Sequence, residues 1–165
     1  MVRAMDIVRA AEELVSAPYR TWQEGDPVPM WLADGAGNPP SAAHLHSVGV
    51  NSSDLINFAL ELNGLPAGGG TGSFANYLVN TATFDPSSPA VPGAIALRPY
   101  EGPDITQQGH IALYLGPHQI IQSIPSEGVT PRYTDEQTYA WASEGWPQYG
   151  FTIYGYLSGV VYDQG

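Results

Sequence analysis

The chain has no cysteine. That excludes a disulfide framework, a zinc-thiolate site and thiol chemistry by the chain as it stands. Positive charge is scarce: 5 Lys+Arg against 16 Asp+Glu give a formal net charge of −11. Such a surface repels phosphate backbones, so nucleic-acid binding through a basic patch is not expected. The same sign disfavours adhesion to anionic lipid or to an anionic cell wall, so an anionic target would require another module to deliver this one. No apolar run approaches the roughly 20 residues of a membrane span. The N-terminal stretch MVRAMDIVRAAEELVSAPY lacks the apolar centre of a signal peptide, because Asp6, Arg9, Glu12 and Glu13 interrupt it.

What is present fits one folded domain over residues 1–165, long enough to bury a single sizeable core. Hydrophobic residues make up 43% and charged residues 13%, which argues against disorder. The 19 glycines and 15 prolines follow no period and read as loops. The chain stops at VVYDQG directly after a strand-like run, a place where a linker to another domain can begin.

Hydrophobic spacing predicts an amphipathic helix over 2–16, ended by Pro18. Residues 19–50 hold four prolines, four glycines and two tryptophans and read as irregular, a covering or substrate-shaping loop. A second helix is expected over 52–63, capped by Asn51 or Ser52 and stopped by Gly64, with Leu55, Phe58, Ala59 and Leu62 as its apolar stripe. SFANYLVNTA (73–82) reads as a third helix. From residue 93 the pattern turns to strands in GAIALRPY, GHIALYLGP, HQIIQSIP and YGFTIYGYLSGVVY. Helices first and strands later predict an α+β domain with an antiparallel sheet against helices.

Three residues make a chemical constellation. Ser52 stands at a helix N-terminus, which carries about half a positive charge and free N–H groups. Such a position lowers the pKa of a thiol and supplies a donor to a developing oxyanion. His110 opens a strand, from which an imidazole can take a nucleophile's proton and return it to a leaving amine. Gln122 lies 12 positions on. A turn at Gly116, Pro117 and His118 would bring it beside His110, where its amide oxygen can orient the ring.

The order of these features resembles the NlpC/P60 cysteine peptidases, papain-like enzymes that cut peptidoglycan stem peptides. SAPYRTW is similar to the family's Gly-x-Pro-Tyr-x-Trp stretch, VNSSDLINFALELNGLP to its Asp-Cys-Ser-Gly-Leu helix start, VPGAIALRP to its Pro-Gly-Asp-Leu strand, and QGHIALYLGPHQIIQS to its Gly-His-Val-Gly-Ile-Tyr-x-Gly hairpin. The resemblance implies N-terminal helices packed on an antiparallel sheet. It implies Ser52 at the nucleophile position, His110 as base and acid, Gln122 as orienting residue and Tyr19 at the oxyanion or substrate. Asn51, Ser53, Asp54 and Trp22 would then line the substrate site. The expected substrate is the γ-D-glutamyl–diamino acid bond, without metal or organic cofactor, in a monomer tethered to a wall-binding domain. A phage lysin or tail-associated hydrolase, released from the host cytoplasm or carried on the particle, fits the charge and the missing signal, and a bacterial wall enzyme stands beside it as an alternative.

The chain departs from the family where activity is decided. Ser52 replaces the cysteine and Asn51 the preceding aspartate, and an alcohol is far harder to deprotonate than a thiol. Intact surroundings without any cysteine favour a Cys→Ser substitution over a natural loss of chemistry. Two other readings stand beside this one: a wall-peptide binding module that does not cut, and a CHAP-type amidase. Each residue also has a plain structural use: Ser52 as a helix cap, His110 at a strand edge, Gln122 on an edge strand, Tyr19 packed under the long loop. His44 and His46 read as loop residues rather than a metal pair, and YTDEQTYAWASEGWPQYG as a solvated loop with anchoring aromatics.

Overall fold

The structure, a computed structural model, describes residues 1–20, 41–66, 78–79, 91–98, 110–116, 119–124, 127–133 and 153–162. The chain begins with a short strand β1 (Val2–Arg3), then helix α1 (Ala4–Glu12). Two further helices follow, α2 (Ala42–Val48) and α3 (Ser52–Leu62). Strands complete it: β2 (Leu78–Val79), β3 (Ile95–Arg98), β4 (His110–Gly116), β5 (Gln119–Ile124), β6 (Gly128–Tyr133), β7 (Ile153–Leu157) and β8 (Val160–Val161).

Helix α1 is shorter than the periodicity predicts. Val2 and Arg3 instead pair in parallel with Val160 and Val161. Asp6 accepts the Arg3 backbone N–H at 2.9 Å, putting a carboxylate on the helix's positive end. Ile7, Val8, Ala10 and Ala11 are buried along its inner face. Residues 19–50 are not irregular throughout: Ser41 accepts the His44 backbone N–H at 3.4 Å, starting α2, and Gly49 (φ 91) ends it. His44 and His46 therefore stand two apart on a helix, a spacing that turns them to different sides.

Helix α3 keeps its expected place, but its burial is broader than one stripe. Leu55, Ile56, Phe58, Ala59 and Leu60 are all fully buried, whereas Leu62 is 40% exposed. The helix is thus surrounded over most of its length, with about 1.5–3 kcal/mol gained per large apolar side chain. The third expected helix fails at Leu78–Val79, which pair with Leu157 and Tyr156 as a strand; the rest of 73–82 lies outside the described residues.

The main sheet runs β2-β7-β3-β4-β5-β6, and its neighbours pair antiparallel. β6, unrecognised in the sequence, is an edge strand, the setting that tolerates Pro131 because one of its sides needs no ladder donor. Strand alternation sorts the two faces. Ile95, Leu97, Ile111, Leu113 and Ile121 pack with α1 and α3 in the larger core. Ala94, Ala96, Ala112, Tyr114 and Ile120 form a second buried cluster on the other face. The Tyr162 hydroxyl fastens the C-terminal end, donating to the Gly93 carbonyl at 2.7 Å and accepting the Leu157 N–H at 2.8 Å.

Candidate functional site

The cap of α3 is Asn51, not Ser52. The Asn51 backbone is extended, and its Oδ1 accepts the Asp54 N–H at 2.8 Å and the Ser53 hydroxyl at 3.0 Å. Asp54 Oδ2 accepts the Asn51 N–H in return, at 3.2 Å, which closes a capping box. Ser52 is therefore the first helical residue and is not engaged in capping. It is buried, 8% exposed, at the end of α3 where the backbone N–H groups converge.

Val50, two residues earlier, stitches that helix start to the rest of the molecule. Its N–H donates to the Pro18 carbonyl at 2.9 Å, and its carbonyl accepts the Arg20 N–H at 3.2 Å. The half-buried Tyr19 thereby forms an isolated bridge with Val50. The same carbonyl accepts the Ser123 hydroxyl, buried, at 2.8 Å. Sequence reading missed Ser123. Its only signal was alternation, which sends the residue after Gln122 to the helix side of β5.

His110, the first residue of β4, and Gln122 of β5 meet directly: His110 Nε2 and Gln122 Oε1 are 2.8 Å apart. The register explains the contact. Leu113 opposes Ile121, so continuing the ladder sets Gln122 across from Ala112, one diagonal step from His110. Ala112 is small enough to leave the diagonal open. An amide oxygen only accepts, so Nε2 carries the proton and Nδ1 holds the basic lone pair. His110 is 6% exposed and Gln122 fully buried. Burial pushes the imidazole down from 6.5 to about 4, and the Gln122 bond opposes that shift.

Helix α3 packs on β4 and β5. The alternation that pairs His110 with Gln122 directs both away from the Ser123 side, and among the described residues no hydrogen bond joins the Ser52 hydroxyl to the imidazole. Trp22 lies outside the described residues. Among the described residues no group of three or more His, Cys, Asp or Glu side chains is placed to hold a metal ion. His46 Nε2 instead lies 2.8 Å from the Glu13 carbonyl, at the C-terminal end of α1. No helix among them is long and apolar enough to cross a membrane.

The buried imidazole makes stability depend on pH. Its folded pKa is about 4 and its ordinary value 6.5, so between these values the unfolded chain binds more protons. The contribution is fully present above the ordinary value and is lost as pH falls through the window, on the order of 3 kcal/mol in all. Urea midpoints of the parent and His110→Gln should therefore draw together from neutral pH to pH ~4. Parallel profiles would show that the native imidazole titrates normally.

No protein-family profile and no curated protein sequence matches this chain. Solved structures do. The peptidoglycan hydrolase RipB from Mycobacterium tuberculosis is 21% identical with a TM-score of 0.52, over 92% of this chain and 63% of that one. This chain thus spans less than two thirds of RipB's length. An NLP/P60-family protein similar to lipoprotein, from Staphylococcus aureus, gives 13% and 0.55, covering 93% of this chain and 41% of that one. The P60 domain of an antigen from M. avium subspecies paratuberculosis gives 17% and 0.50, over 93% of both chains. The fold is the α+β, papain-like architecture of NlpC/P60 proteins, N-terminal helices on an antiparallel sheet.

Proposed function

We propose that this chain is a peptidoglycan hydrolase domain of the NlpC/P60 type, with its nucleophile position at Ser52 and its base at His110. The buried His110–Gln122 hydrogen bond carries the reading. It orients the imidazole on β4, one of the two strands against which the Ser52 helix packs. Structural likeness to a protein described as a peptidoglycan hydrolase supports it. The substrate is a wall stem peptide, cut at the amide between the γ-carboxyl of D-glutamate and a diamino acid.

In the active form His110 Nδ1 takes the proton of the position-52 thiol, the resulting thiolate attacks the amide carbonyl carbon, and the carbonyl electron pair moves to oxygen. The residue-52 backbone N–H and Tyr19 steady that oxyanion. The proton held on His110 Nδ1 passes to the leaving amine, the C–N bond breaks, and a thioester remains. His110 then draws a proton from water, which hydrolyses the thioester. Gln122 holds the ring throughout. Asn51 and Asp54 serve the substrate by holding the helix start, and Ser53 by buttressing Asn51.

With serine at position 52 the cycle does not begin, because an alcohol is far harder to deprotonate than a thiol. We read Ser52 as a Cys→Ser inactivation of a phage-lysin-type catalytic domain that works beside a wall-binding module. The chain as it stands then binds its peptide without turning it over. Ser52→Cys, incubated with purified peptidoglycan, should release stem-peptide fragments, and the parent should release none. A folded Ser52→Cys chain that releases nothing would sink the hydrolase reading.

A further inference from the structure

The capping box at the start of α3 is internal to the helix. Asn51 and Asp54 hold each other and leave open where that start lies against the sheet. Asn51 supplies the first carbonyl of the helical ladder, accepting the Leu55 N–H at 3.3 Å. Val50, one residue earlier, has no place in that ladder, so its carbonyl must find donors elsewhere. It accepts the Arg20 N–H at 3.2 Å and the Ser123 hydroxyl at 2.8 Å. The first bond comes from the neighbouring segment 16–20, the second from strand β5 of the main sheet.

Ser123 differs in kind from its row. Ile121 and Val129 on the same face belong to the larger core, and Ser123 is fully buried beside them. A hydroxyl in that setting costs free energy unless it is bonded, and its bond is directed at the residue two before position 52. Its ladder partner is Val129, whose N–H donates to the Ala17 carbonyl and whose carbonyl accepts the Ser16 N–H. That segment continues to Pro18, whose carbonyl accepts the Val50 N–H at 2.9 Å. Val50 is thus held at both of its backbone polar groups, by two routes that start from one rung of the β5–β6 ladder. Gln122, the preceding residue of β5, faces the other way and holds His110. Adjacent residues of one strand therefore serve the base and the nucleophile position.

Resting on the function proposed above, we infer that Ser123 is a positioning residue for the nucleophile: its hydroxyl, acting through the Val50 carbonyl, sets where residue 52 lies relative to the sheet. A displacement of about 1 Å far from the chemistry can cost on the order of 100-fold in rate. A thiol is acidified only while it stays at the helix N-terminus, so the same displacement weakens its ionisation.

The chain holds no cysteine, so Ser52→Cys carries a single thiol, and its alkylation by iodoacetamide across pH reports that thiol alone. Ser123→Ala, Ser123→Thr and Ile95→Val are added to this background one at a time, and urea midpoints score each fold separately. Ser123→Ala should move the midpoint of the alkylation profile up, toward the ordinary thiol value of about 8.5. It should also lower kcat for a stem-peptide substrate by about 10–100-fold with KM unchanged. Ser123→Thr, which keeps the hydroxyl, should restore both. Ile95→Val trims the core on β3 and should lower the urea midpoint while leaving the alkylation profile in place. The assignment is overturned by a Ser123→Ala profile that matches Ser52→Cys, by a threonine variant that behaves as alanine does, or by an Ile95→Val shift as large as that of Ser123→Ala. Fragment release by Ser52→Cys beside an unshifted Ser123→Ala profile rejects the role of Ser123 alone. A shifted profile without any release rejects the hydrolase reading alone.

Discussion

In a Ser52→Cys background, His110→Ala is expected to lower kcat/KM for stem-peptide cleavage by about 10²–10⁴-fold, the range of a positioned general acid–base group. The loss should fall mainly on kcat, because the imidazole acts on protons in flight rather than on ground-state binding. The structure makes the argument specific. Nε2 lies 2.8 Å from Gln122 Oε1, which steadies the ring from one side. Burial disfavours the charged form of the ring. A thiolate would reverse part of that, since a nearby negative charge favours the protonated imidazole. The helix N-terminus favours the thiolate in turn. Each group thus stabilises the other's charged form, which a serine hydroxyl cannot reproduce. Fragment release measured across pH for both chains checks the claim. A double variant that cleaves as fast as Ser52→Cys would remove His110 from the mechanism.

The second large effect is structural. Gly128→Ala should destabilise the fold by about 2–5 kcal/mol, against about 1–2 for Gly64→Ala. Both glycines have positive φ, +68 and +78. They differ in what a Cβ would meet: at Gly64 nothing lies within 4 Å, and at Gly128 the Ala17 carbonyl oxygen lies at 2.2 Å. That oxygen is held there, because it accepts the Val129 N–H at 2.9 Å while Ser16 donates to the Val129 carbonyl at 3.0 Å. Residues 16–18 therefore cross the start of β6 with no room for a side chain. The same segment continues into the Pro18–Val50–Arg20 bonds that set the start of α3. Moving it away costs those contacts as well, so Gly128→Ala should also reduce activity in the Ser52→Cys background. With total stabilities of about 5–15 kcal/mol, the loss is a large share. Urea midpoints of the two variants decide it, and equal shifts would mean that the conformation, not the contact, sets the cost.

Much of this was legible in the sequence, and its limits follow from the kind of signal each residue left. Apolar spacing located the body of α1 and α3, alternation located β3 and β4, the turn after β4 located β5, and β-branched and aromatic content located β7, because those patterns are local consequences of which face is buried. The twelve-residue step from His110 to Gln122 spans one tight hairpin, so their pairing could be read from the chain alone. The absence of cysteine and the −11 charge bounded the chemistry before any fold was known.

Tertiary structure decided what local signals cannot encode. Leu78 and Val79 sit in a helix-like string yet pair with β7, because a ladder partner far along the chain outweighs a weak helical preference. Gly128–Tyr133 became an edge strand despite Pro131, since only the sheet order frees one side of it. Asn51 took the cap that Ser52 was equally suited to, because the capping box closes with Asp54. Ser123 joined the neighbourhood through long-range pairing, 73 residues from Val50. The sequence alone determined which chemical groups were available and which neighbours along the chain share a face. Which of those groups meet was set by strand pairing and burial, whose energies arise only when distant segments close on one another.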